Sequence, residues 1–249
     1  MSGHSKWAQI KRKKAATDAA RGRSFTKVIK EITIAARAGG GDLEGNPRLR
    51  TAIAAAKAVN MPAANIERAI KRGTGEIEGV TIEETHYEGY GPHGVAILVE
   101  VATDNRNRAS GDVRNIFTRH GGALAAAGAV SYLFKPRGIL TVARAAVAEE
   151  TLLEVALDAG ADDIVTGDES YEVFTPPQRF ESVKEALTAK GIAIQHAELT
   201  KIASTTVPLD EKNAAAVLRL VESLEEHDDV QKVYANFEIA DEILARLSR

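Results

Sequence analysis

The chain has 249 residues, 44% apolar and 5% aromatic, with no cysteine and a formal net charge of −3. The cysteine count excludes disulfides, thiolate metal sites and a cysteine nucleophile, and suits a reducing compartment. No apolar stretch approaches the ~20 residues that span a bilayer, and the cations from Lys6 to Lys14 oppose a signal peptide. A soluble cytoplasmic protein of two or three compact units is expected.

The small net charge conceals a strong polarity. Met1 to Gly75 carry 16 Lys and Arg against 5 Asp and Glu, a balance of +11, whereas Glu76 to Arg249 carry 16 against 30, a balance of −14. A basic block of this density is the electrostatic footprint of phosphate binding. The acidic remainder would face away from nucleic acid and fix its docking orientation.

The basic block opens with Lys6-Trp7-Ala8-Gln9-Ile10-Lys11-Arg12-Lys13-Lys14, which sets the one tryptophan beside four consecutive cations. Trp7 is either a base-stacking residue or a core residue. Arg21, Arg23, Lys27, Lys30 and Arg37 follow. Ser24 is the expected cap of a helix whose apolar stripe is Phe25, Val28, Ile29, Ile32, Ala35 and Ala36. Gly39-Gly40-Gly41 ends it. Asn46-Pro47 offers a cap and a first-turn proline to a second helix, with Leu49, Ala52, Ile53, Ala56 and Val59 inward and Arg48, Arg50 and Lys57 outside. Asn60-Met61-Pro62 breaks the chain before a third helix, with Ile66, Ala69 and Ile70 inward and Arg68, Lys71 and Arg72 outward, and Gly73 and Gly75 end it. Met61-Pro62 reads either as a functional tip flanked by cations or as an interhelical turn with Met61 tucked into the bundle.

From Glu76 strands alternate with helices. Thr85 to Tyr90 and Val95 to Thr103 form an expected hairpin around Gly91-Pro92-His93-Gly94. Gly89-x-Gly91-x-x-Gly94 matches the dinucleotide fingerprint in letters only, because a strand and not a helix follows it. A helix from about Asn107 to Arg119 comes next, then a strand from Val130 to Phe134. Asp104-Asn105-Arg106-Asn107-Arg108 before that helix is a capping loop, or a phosphate contact made by Arg106 and Arg108.

Lys135-Pro136-Arg137-Gly138 punctuates the chain. A βαββαβ series then runs from Ile139 to Leu199, the order of a ferredoxin-like split unit. A helix after Pro208, a strand from Val230 to Phe237 and a short terminal helix close the chain. This last αβ pair has no sheet of its own, so it is expected to complete the unfinished sheet before Phe134. The division expected is 1–78, a basic helical domain; 79–134 plus 204–249, a discontinuous α/β domain; and 135–203, an inserted ferredoxin-like domain. The fold class is α+β. The six histidines show no metal-ligand spacing, and the acidic clusters 158–169 and 225–229 read as helix-end and loop caps in preference to Mg²⁺ sites.

Gly3-His4-Ser5-Lys6-Trp7 with Ile10-Lys11 and Lys13-Lys14, Met61-Pro62 with Asn65 to Lys71, Tyr87 to Pro92, and Thr103 to Arg108 together resemble the signatures of the YebC family. Ala123 to Gly128 departs from the more polar family pattern. The resemblance implies an N-terminal helical domain, two α/β domains and no known catalysis. The charge of the basic block assigns nucleic-acid binding to Lys6, Trp7, Lys11, Arg12, Lys13, Lys14 and the cations that follow them, and the resemblance leaves the target open. Bacterial members are described as transcriptional regulators, while other members point to rRNA and to relief of stalls at proline-rich stretches. A mitochondrial member activates translation of cytochrome c oxidase subunit I. Spread cations with few Asn or Gln readers and no evident dimer seam suit structured RNA. The expectation is therefore a non-enzymatic, ribosome-associated translation factor, with a DNA-binding transcription regulator as the alternative. A monomer without cofactor, metal or membrane partner is expected.

Overall fold

A computed structural model describes residues 18–167, 169–240, 242, 243 and 246; for residues 18–21 and 23 it describes the backbone alone. Three helices come first. α1 (Asp18–Gly39) carries the expected stripe, with Ile32, Ala35 and Ala36 in the core and Phe25, Val28 and Ile29 packed against it. Ser24 is not its cap. It lies inside the helix, because the sequence from Asp18 has no Gly-Pro break strong enough to stop helical propagation before Phe25.

α2 (Pro47–Ala58) starts at a buried cap. The Asn46 side chain accepts from the Leu49 N–H at 3.0 Å and donates to the Ala35 and Gly40 carbonyls, both at 2.8 Å. One amide thus caps α2 and closes the end of α1. α3 (Ala63–Thr74) ends at Gly75, whose φ of 82° is left-handed. Gly73 is not a terminator but a contact. A Cβ there would sit 2.4 Å from the Thr33 carbonyl oxygen and 2.6 Å from the Ala36 Cβ, so only glycine permits this crossing of α1 and α3.

The next elements are β1 (Glu83–Tyr90), β2 (Ala96–Thr103), α4 (Arg106–Arg119) and the two-residue β3 (Ala123–Leu124). β1 and β2 form the expected antiparallel hairpin, and the glycine-rich segment is its turn. The expected strand at Val130 to Phe134 is instead a 3-10 turn at Ser131–Leu133. β4 (Phe134–Ala143) then runs straight through Lys135-Pro136-Arg137-Gly138. Proline fits there because β4 pairs only with β7 at Pro136, its pairing with β6 beginning at Gly138, so the missing N–H leaves no ladder bond unmade.

α5 (Glu149–Asp158), β5 (Asp163–Thr166), β6 (Ser170–Thr175), α6 (Phe180–Ala189) and β7 (Ile194–Ala203) complete an antiparallel sheet of order β5-β6-β4-β7. β8 (Val207–Leu209), α7 (Glu211–Glu225), β9 (Val230–Ala235) and β10 (Phe237–Ile239) follow. β9 pairs with β2, giving the first sheet the order β3-β1-β2-β9, while β8 and β10 pair in parallel beside it. The chain therefore leaves the first sheet, builds the second and returns. The strand expected through Phe237 breaks at Asn236, whose Oδ1 accepts from the Ala96 N–H at 2.7 Å. Of the expected terminal helix, only residues 242, 243 and 246 are described.

Each unit has its own core. Ile97, Val99 and Val101 of β2 pack under α4 and α7, and Leu140, Val142 and Val173 under α5 and α6. A smaller cluster of Ala96, Leu98, Tyr234, Val130 and Phe134 joins the back of the first sheet to the start of the second. Among the described residues no helix is long and apolar enough to cross a membrane.

Two glycines test this packing. Gly73→Ala forces apart α1 and α3 and lowers stability by about 1–3 kcal/mol. Gly111→Ala on α4 meets nothing within 4 Å and adds about 0.5–1 kcal/mol. Thermal melts of both variants check this, and a Gly73→Ala protein melting at or above wild type contradicts the close crossing.

Candidate nucleic-acid interface

The cations of the helical unit divide into two populations. Lys6, Trp7, Lys11, Arg12, Lys13 and Lys14 lie outside the described residues, and the side chains of Arg21 and Arg23 are likewise not described. Lys57 near the end of α2 and Arg68, Lys71 and Arg72 on α3 are exposed, with no hydrogen-bond or ion-pair partner among the described residues. The 68, 71, 72 spacing puts the three on one side of α3, opposite the buried Ile66, Ala69 and Gly73. The apolar stripe turns inward and leaves this cationic face to solvent.

The other cations are engaged within the molecule. Lys27 donates to the Glu225 carbonyl at the C-terminal end of α7 at 2.5 Å, where the helix dipole favours a positive charge. Lys30 donates to the Asp228 carbonyl at 3.0 Å and to the Asp229 carboxylate at 2.5 Å. Arg37 donates to the Ile82 carbonyl at 2.6 Å. Arg48 bridges Glu31 at 2.7 Å and Glu84 at 2.6 Å, and these hydrogen bonds push its pKa further up. Arg50 donates to the Leu43 and Glu44 carbonyls of the α1–α2 loop.

The segment before α4 takes the capping form. The Asn105 side chain accepts from the Arg108 N–H at 3.1 Å. Arg106 donates to Thr85 at 3.0 Å and lies 3.7 Å from Glu83, while Arg108 pairs with Asp104 at 2.6 Å and with Asp229 at 3.0 Å.

Asp229 is the centre of this network. It is buried, yet Lys30, Arg108 and the Thr103 hydroxyl all donate to its carboxylate, Thr103 at 2.8 Å. Burial alone would raise its pKa, but these three donors outweigh that and hold it below the ordinary carboxylate range. Next to it an open cleft of about 990 Å³ separates α1 from the 226–229 turn. Asp104, Asp112, Glu226 and Asp228 stand on its walls with Lys30, Arg72 and Arg108.

Met61 is not an exposed probe. It is 6% exposed and belongs to the helical core, leaving Asn60 and Pro62 at the surface of that turn. An unbranched thioether fills the gap between three helices better than it tolerates water. A further device is Glu88, whose buried carboxylate accepts from the N–H groups of Gly128, Val130 and Ser131 at 2.7–2.8 Å. Burial favours its protonated form, but the three backbone donors prevail and its pKa is lowered. It fastens the loop 125–131 to β1, and Tyr90 adds a hydrogen bond to the Ala129 carbonyl at 3.3 Å.

Residue-level reading of the sequence placed Asp229 among helix-end acids and Glu88 within a motif, and found neither role. The available signal was polarity in the wrong place: Glu88 lies in an alternating strand, and Asp229 directly precedes an apolar one.

Residues 5–76 match the family model described as TACO1/YebC protein N-terminal domain, and residues 82–237 that of TACO1/YebC second and third domain. The chain belongs to the TACO1/YebC family. A "Probable transcriptional regulatory protein" of Persephonella marina is 56% identical over 250 residues, covering 100% of both chains. One of Geobacter sulfurreducens, named in the same words, is 56% identical over 247 residues, covering 99% of this chain and 100% of its own. The crystal structure of a conserved hypothetical protein from Aquifex aeolicus superposes with a TM-score of 0.81 at 52% identity, covering 92% of this chain and 95% of that one. A regulator of gene expression is the class these relatives define.

The lowered Asp229 pKa makes a signed prediction. Its contribution to stability is complete above the unfolded carboxylate value of about 3.9 and is lost as pH falls through the lower folded value. The difference in unfolding free energy between wild type and Asp229→Asn is therefore largest near pH 7 and shrinks toward pH 2. Denaturant titrations at several pH values measure it, and a difference that grows on acidification contradicts the assignment.

Proposed function

We propose that this chain is a non-enzymatic, nucleic-acid-binding regulator of gene expression that works as a ribosome- and rRNA-associated translation factor relieving stalls at proline-rich stretches. The observation that carries the nucleic-acid reading is the exposed, unpartnered set Lys57, Arg68, Lys71 and Arg72, which belongs to the block 1–75 of charge +11. Phosphate contacts of this kind position a protein without reading bases. α2 and α3 together carry one Asn and no Gln, few groups for bidentate base readout in a major groove. Shape and backbone recognition of folded RNA fits such a surface better. The names of the relatives favour the second reading, a DNA-binding transcription regulator.

Crosslinking in cells followed by sequencing of the bound nucleic acid separates the two. Ribosomal RNA enriched at defined positions supports the first reading, and enrichment of promoter DNA replaces it with the second.

The surface itself is tested by salt. Changing Lys57, Arg68, Lys71 and Arg72 to Gln lowers the log–log salt slope of RNA binding by about 0.7–0.9 for each phosphate no longer neutralised. Arg48→Gln, which cuts internal ion pairs with Glu31 and Glu84, leaves the slope nearly unchanged. Equal slopes for wild type and the fourfold variant remove this face from the interface.

A further inference from the structure

The helical unit rests on the first sheet without a shared core. None of the four apolar clusters among the described residues spans the two. What joins them is the segment 76–82, which has no regular structure, the buried Ile34 of α1 beside Ile82, and a set of polar contacts. Val80 in that segment is 68% exposed and so adds little packing. The polar contacts fall in two places. Arg37 with Ile82 and Arg48 with Glu84 lie beside the connecting segment. Lys27 with Glu225, and Lys30 with Asp228 and Asp229, join residues about 200 apart in sequence. The first pair sits beside the connecting segment and the second on the far side of the helical unit.

Lys27 and Lys30 are cations of the block whose charge suits phosphate, and here carbonyl and carboxylate oxygens hold them. The cleft beside them is walled by Asp104, Asp112, Glu226, Asp228 and Asp229, with Arg72 and Arg108 as the other charges. Carboxylates outnumber cations on the walls of this open cleft, which disfavours a phosphate chain there, so it reaches Lys27 and Lys30 only if the acidic edge lets go.

We propose that the Lys30–Asp229–Arg108 cluster is an autoinhibitory latch, in which the acidic edge of the first sheet occupies cations of α1 in place of phosphate and a polyanion opens the molecule by taking them over. The proposal rests on the nucleic-acid reading above and adds a regulation to it. Interfaces between units that are small and polar permit such motion. The ligand gains only by binding the open state better than the closed one.

The chain has no cysteine, so Ala55→Cys and Asn115→Cys, both at exposed positions, place a pair of spin labels on α2 and α4 of the full protein. Their separation is measured free, with an RNA hairpin and with inorganic polyphosphate. One short distance is expected in the free protein at low salt, and a longer one with either polyanion. Asp229→Asn, and separately Lys30→Gln, give the longer distance without ligand. Lys30→Gln severs the same ion pair without touching Thr103 or Arg108, so opening in both variants excludes local unfolding around Asp229. If the free protein is ~90% latched, Asp229→Asn also binds RNA about tenfold more tightly. Unchanged distances in both variants overturn the latch, and so does opening in Asp229→Asn alone. Failure of wild type and Asp229→Asn to bind either RNA or duplex DNA overturns the functional reading instead; variants that still open, with wild type opened by polyphosphate, then support the latch on its own.

Discussion

A carboxylate removed from water must be met by cations or hydrogen-bond donors, and Asp229 is met from two units at once. Lys30 comes from α1, Arg108 from the start of α4 and Thr103 from the end of β2. The uncompensated charge would cost several kcal/mol, so these groups must converge if the closed arrangement is to stand. That requirement sets how α1 lies against the 225–229 turn. It also fixes which basic side chains point into the molecule and which remain outside. The free cationic face of α2 and α3 is what remains once the acidic edge has taken its share.

The charge polarity of the chain thus acts at two ranges. At long range the acidic α/β portion and the basic helical portion form a dipole that turns the helices toward a polyanion. At short range, on the proposed reading, the Asp229 carboxylate and the carbonyls of Glu225 and Asp228 compete with that polyanion for Lys27 and Lys30. Surface pairs such as Arg48 with Glu31 contribute little to stability by themselves. Their effect is on orientation, because they keep the guanidinium beside the connecting segment.

The helices were legible in the sequence because their signals are local. The stripe from Phe25 to Ala36, the Asn46-Pro47 cap and the Gly75 terminator each depend on residues a few positions apart. That the last strand joins the first sheet was expected by elimination, since a lone strand needs a partner; its pairing with β2 came from the structure. Ser24 as a cap and Val130 to Phe134 as a strand failed for the opposite reason, a local preference overridden by what surrounds it. A cap residue continues a helix when turns on both sides are helical, and β4 can accept Pro136 only because one of its edges is open there. Met61 was ambiguous because burial is a property of three helices together. The candidate site was the least legible part. A count of cations treats Lys30 and Lys71 alike, although one is held by Asp229, about 200 residues away, and the other is exposed.

The central claim is that the helical unit meets nucleic acid through its free cations, while the acidic edge holds Lys27 and Lys30 until then. Chemical labelling of lysines in the wild-type protein, free and with ribosomal RNA, read residue by residue by mass spectrometry, tests it most directly. The account predicts that Lys57 and Lys71 become protected on binding and that the free protein labels Lys30 far more slowly than either. Protection confined to Lys184, Lys190 or Lys212, with Lys57 and Lys71 labelled as before, would contradict it.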